Sequence, residues 1–109
     1  MMQANEVRQR FTQIEQTIHQ ASEACQRAGS VPSDLQSSIK QLDERSEQAR
    51  QELQQSEDEE SIRQCVDELE ELGDRAKDAC ERAGNVDQNL KNAVLQAHRE
   101  LSDLKHQLH

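Results

Sequence analysis

Aromatic residues are almost missing from this chain of 109 residues: Phe11 stands alone, with no Trp and no Tyr. Chain breakers are nearly as scarce. There are one Pro and three Gly, and none lies between Pro32 and Gly73, which leaves room for long uninterrupted helices. Positive charge is in the minority. Thirteen Lys and Arg face 22 Asp and Glu for a net charge of −9, so nucleic acid and anionic lipid surfaces are repelled rather than bound. No apolar run approaches the roughly 20 residues that cross a bilayer, and the N-terminus has no apolar signal core, so neither a membrane nor an export route is expected. Cysteine is sparse and odd in number, at three. Without an export signal, these read as reduced thiols in a cytoplasmic protein.

Apolar residues make up only 32% of the chain, a level that with this charge approaches a disordered composition. Their spacing removes that reading. Val7, Phe11, Ile14, Ile18, Ala21, Cys25 and Ala28 run 4-3-4-3-4-3, one stripe of an amphipathic helix. Gly29 is expected to stop that helix in a left-handed conformation, with Val31 folding back onto it. Pro32 is expected in the first turn of a second helix, whose stripe is Leu35, Ile39, Leu42, Ser46, Ala49 and Leu53. A third carries Ile62, Val66, Leu69, Gly73, Ala76, Cys80 and Ala83 and stops at Gly84. Asn85, with Gln88 three residues on, reads as the capping box of a fourth helix bearing Leu90, Val94, Ala97, Leu101, Leu104 and Leu108.

The chain also repeats itself. Residues 21–31, ASEACQRAGSV, return 55 positions later as AKDACERAGNV, with Ala, Cys, Arg, Ala, Gly and Val in register. The stripes match too: Val7 with Ile62, Phe11 with Val66, Leu35 with Leu90, Ile39 with Val94. The expected architecture is therefore all-α: an antiparallel four-helix bundle made of two repeated helical hairpins, residues 1–55 and 56–109 of a single domain. Ser56 before Glu57, Asp58 and Glu59 reads as a helix start. The alternative is that helices two and three run on as one, with two chains exchanging hairpins in a dimer.

Chemistry-bearing patterns are few. Cys25 and Cys80 are repeat partners on the inward stripe, and two thiols meeting there would make a soft-metal or redox site. There is no Cys-x-x-Cys, and no His lies within a turn of either on the same stripe, so packing as small apolar residues is the preferred reading. Cys65, at the edge of its stripe, is expected to be the more exposed and oxidisable thiol. His19 has Glu15 and Glu23 four residues to either side, and His106 and His109 share a face at a helix end. Di-iron bundles need Glu-x-x-His on two helices, and none is present. Arg27 and Arg82 match in the repeat and suit the negative ends of their helices; a twinned anion site is the functional alternative. The run Glu57 to Glu60 lacks the Asp-x-Asp-x-Asp-Gly loop of a calcium site.

No nucleophile with its base, phosphate-cradling Gly loop or paired-carboxylate cleft is present. The reading is a non-enzymatic protein–protein interaction or scaffold module with no cofactor, binding another protein or a second copy of itself. Leu95, Cys65 and Leu72 flank the main stripes and are the candidate contact residues. The alternative is a thiol-based metal-binding or redox-sensing bundle using Cys25 and Cys80.

Overall fold

Gln, Glu, Arg, Leu and Ala dominate the chain, and all lose little on entering a helix. In the computed structural model, which describes residues 3–55 and 58–109, they form α1 (Ala4–Arg27), α2 (Ser33–Gln55), α3 (Glu59–Ala83) and α4 (Gln88–Leu108). Each helix packs on two neighbours: α1 on α2 and α4, and α3 on α2 and α4. The diagonal pairs, α1 with α3 and α2 with α4, have no Cα atoms within 8 Å of one another among the described residues. The result is an antiparallel four-helix bundle of 41 × 21 × 18 Å. Because α2 and α3 pack on each other, the chain reverses between them, and the single continuous helix is set aside. Ser56 and Glu57, on which the proposed helix start rested, lie outside the described residues; Asp58 stands at the N-cap of α3.

The inward stripes are buried as their spacing demands. Ile14, Ile18, Leu35, Leu42, Leu69, Leu90, Leu101 and Leu104 are each at most 1% exposed, and burying one such side chain contributes about 1.5–3 kcal/mol. The core has two parts. Large aliphatics and Phe11 fill the end that holds the N-terminus of α1. Small residues, Ala21, Ala76, Ala79, Ala93 and Cys80, fill much of the other end, with Leu35, Ile39, Leu90 and Val94 between them. Ser46 sits in the stripe at 0% exposure and satisfies its hydroxyl by donating to the Asp43 carbonyl at 2.7 Å. A Cβ on Gly73 would lie 3.3 Å from Leu101 Cδ1, so this glycine lets α4 pack closely on α3.

The two inter-helix links differ despite their matching sequences. Gly84 has φ 73° and ψ −61°, and the Asn85 N–H donates to the Ala83 carbonyl at 2.8 Å, a γ-turn with positive φ. Gly29 does not have positive φ, which corrects the expected left-handed stop. Instead α1 ends at Ala28 in an extended conformation (φ −71°, ψ 120°). The physical reason is length. Residues 28–32 join α1 to α2, whereas the shorter 84–87 must reverse α3 into α4. Two further boundaries move. Pro32 precedes α2 and gives its carbonyl to the Gln36 N–H at 3.0 Å. Asp87, not Asn85, caps α4, accepting from the Leu90 N–H at 3.3 Å, because the γ-turn uses up Asn85 and places the next carboxylate over the free amides. The last turn of α2 has no basic residue of its own. Arg8 of α1 supplies one, donating from Nε to the Leu53 carbonyl at 2.8 Å.

Candidate functional site

Two open grooves lie between neighbouring helices at the link end of the bundle. The first runs between α2 and α3, about 590 Å³ in volume, lined by Asp34, Ser37, Gln41, Asp78 and Arg82 among others. The second, about 450 Å³, runs between α1 and α4 on the opposite side, with Glu23, Arg27, Asn89, Asn92 and Gln96 in its lining. The two linings correspond at the 55-residue offset: Glu23 with Asp78, Arg27 with Arg82, Asp34 with Asn89, Ser37 with Asn92, and Gln41 with Gln96. Both grooves are open and polar, rich in amide, hydroxyl and carboxylate groups. Arg27 and Arg82 do share an environment, but acids outnumber bases around each. The first groove sets Asp34, Asp78 and Glu81 against Arg75 and Arg82, and the second sets Glu23 and Asp87 against Arg27. That balance suits a polypeptide with donors and basic side chains better than a free anion.

The cysteines are free, and the fold keeps them apart. Cys25 is on α1 and Cys80 on α3, a diagonal pair, so their Cα atoms are more than 8 Å apart. A disulfide needs less than about 7 Å, and the repeat partners therefore do not meet. Cys25 is half-buried against the small-residue core that includes Cys80, which is 3% exposed. Cys65 is 2% exposed rather than partly open, because its position is turned into the aliphatic core beside Leu53 and Ile62. Burial raises the pKa of all three thiols. Cys65 is pushed up to about 11, with the Arg45 guanidinium opposing and the Glu52 and Glu68 carboxylates adding. Thiolate, the form that binds soft metals and attacks disulfides, is thereby disfavoured at each position.

Of the flanking apolar residues, Leu72 packs on the aliphatic core. Leu95 is half-buried on α4 and belongs to neither core cluster. Cys65 is 2% exposed and lines a small opening with Glu52, Leu53, Ser61 and Ile62.

Polar pairs cross the outer seams of the bundle. Between α1 and α2, His19 Nδ1 lies 2.8 Å from Asp43 Oδ1, and Arg50 Nη1 lies 3.6 Å from Glu15 Oε1. Between α3 and α4, His98 Nε2 contacts Asp74 Oδ1, and Lys105 Nζ lies 3.4 Å from Glu70 Oε2. Burial pushes the Asp43 carboxyl up; His19 opposes this, and Glu47 and Glu44 add to it. Glu15 is 6% exposed, and its Oε2 has no hydrogen-bond partner. Sequence reasoning paired His19 along its own helix with Glu15 and Glu23 and so missed Asp43. A signal lay in the 55-residue offset: antiparallel pairing sets position 19 against 43 and position 74 against 98. At the C-terminus, His109 turns to Asp67 at 2.9 Å while His106 is exposed, so that pair does not converge.

No family model, curated protein or solved structure matches the chain.

Proposed function

We propose that this protein is a non-enzymatic protein–protein interaction module that seats polypeptide partners in its two polar grooves. The observation that carries the reading is the correspondence of the two linings at the 55-residue offset. The same kinds of hydrogen-bonding side chain are presented twice, on opposite sides of one bundle. A hairpin repeat explains that correspondence, and a two-sided module can bridge two partners or two copies of one. The acid excess around each groove selects for a partner segment with Lys, Arg and amide donors. Half-buried Leu95, which lines neither groove, offers a separate apolar contact. Three free thiols suit a reducing compartment, and a cytoplasmic location belongs to the same proposal.

The test is native mass spectrometry of untagged protein isolated gently from its own cells. The expected wild-type species carries a stoichiometric second polypeptide or a second copy. Exposed Ser37 and Asn92 line the two grooves. Ser37→Arg combined with Asn92→Arg should abolish the complex while leaving helicity unchanged. Gln48→Arg, exposed on α2 and outside both linings, should preserve it. A bare wild-type monomer, or a complex indifferent to the groove substitutions, overturns the proposal.

A further inference from the structure

Two clusters on the outer seams have the same donor set. Between α1 and α2, His19 faces Asp43 and Glu47; between α3 and α4, His98 faces Asp74 and Glu70. In each, one imidazole nitrogen and two carboxylate oxygens lie within 4.8 Å of one another. Two ligand atoms on a tetrahedral zinc ion, each at about 2.0–2.2 Å, are about 3.3–3.6 Å apart. Closing either shell therefore takes side-chain rotation that brings the widest-spaced ligand atoms together by up to about 1.5 Å.

We infer that these clusters are twin sites for a divalent transition-metal ion, each made of one His, one Asp and one Glu. Imidazole with carboxylate is a borderline donor set that suits zinc and its first-row neighbours.

A His–Asp contact accounts for two members of each cluster, and Lys105 pairs with Glu70 at 3.4 Å in the second, so Glu47 of the first is the member left unaccounted for. Asp43 and Glu47 are four apart on α2, and Glu70 and Asp74 are four apart on α3. Such like-charged pairs destabilise a helix by about 0.2–0.5 kcal/mol, a cost that a bridging cation reverses. In the first cluster, Asp43 Oδ1 is buried and lies 2.8 Å from His19 Nδ1, so an imidazole nitrogen and a carboxylate oxygen already converge there.

The second observation is an exchange. At the 55-residue offset, His19 corresponds to Asp74 and Asp43 to His98. The imidazole changes helix and the carboxylate changes with it, yet each seam keeps the complete set. The Glu does not follow the offset, since Glu47 corresponds to Ser102 and Glu70 to Glu15; the acid pair stands on α2 in one seam and on α3 in the other, facing the His in both.

The test is zinc titration of the full chain, made metal-free and kept reduced, read by isothermal calorimetry and by competition with a chromogenic chelator. Wild type should take up two ions. His19→Ala and His98→Ala should each take up one, with the remaining site unchanged within about threefold, and the double variant none. Cys25→Ser with Cys80→Ser should still take up two, which separates these sites from thiol ligation. Circular dichroism confirms that each variant is folded; both imidazoles are partly exposed, so their loss leaves the core intact. Fewer than two ions on wild type, or uptake that ignores the His substitutions, overturns the inference. The groove experiment is unaffected by either result.

Discussion

Gly29 and Gly84 occupy matching places in the sequence and different regions of backbone space. Only Gly84 has positive φ, at 73°, where a Cβ meets the adjacent carbonyl and costs roughly 1–2 kcal/mol. Nothing lies within 4 Å of a Cβ built at either site, so conformation alone decides the outcome. Gly84→Ala should lower stability by about 1–2 kcal/mol. Gly29→Ala should leave it unchanged or raise it by up to about 1 kcal/mol, by restricting the unfolded chain. Urea melts of the two variants check this, and equal effects would show that the γ-turn does not govern the second link. At the same scale, Asp87 rather than Asn85 became the α4 cap because the γ-turn at Gly84 moves the helix start two residues on.

At the scale of the element, the 4-3 stripes decide which helix face turns inward, and most of α4 rests on that. Leu101 is 0% exposed, seated against the close approach that Gly73 allows. Leu101→Ala should cost about 2–5 kcal/mol, the range for a buried Leu whose cavity cannot fully collapse. Denaturant midpoints measure it, and a negligible loss would mean that the core face of α4 is assigned wrongly. The helix ends draw on other elements. Arg8 of α1 reaches the Leu53 carbonyl at the end of α2, so capping of α2 depends on the tertiary fold and not on its own last turn.

Across the whole molecule, several charge pairs join neighbouring helices. Arg45 of α2 links Glu68 of α3 at 2.8 Å and Glu52 at 3.3 Å, over buried Cys65. The thiol beneath carries a global signature. Below about pH 9 it is protonated in both folded and unfolded chains. Between about pH 9 and the folded value of about 11, the unfolded chain releases its proton while the folded one retains it. Ionisation then favours unfolding, and stability falls as pH rises through that window. Under reducing conditions, the denaturant midpoint of wild type should drop more steeply between pH 9 and 11 than that of Cys65→Ala, the other titrating groups being common to both. Parallel slopes would mean that Cys65 ionises as freely in the bundle as outside it.

The sequence by itself determined the helices and their inward faces, because a 3.6-residue period leaves no choice about which residues share a side. Leu35, Ile39, Leu42, Ser46, Ala49 and Leu53 were legible in this way, and all are buried. It also set the hairpin order, since links this short force neighbours antiparallel. Tertiary structure decided what depends on the distance between elements. It placed Cys25 and Cys80 on diagonal helices, although their matching positions suggested a meeting. It turned Cys65 inward, because a residue at the edge of a stripe is buried or exposed according to where the neighbouring helix lies. It brought His19 to Asp43 and Glu47, residues more than twenty positions apart, through an antiparallel register that no single helix contains. A period is a property of one chain segment; a site between helices is a property of how two segments cross.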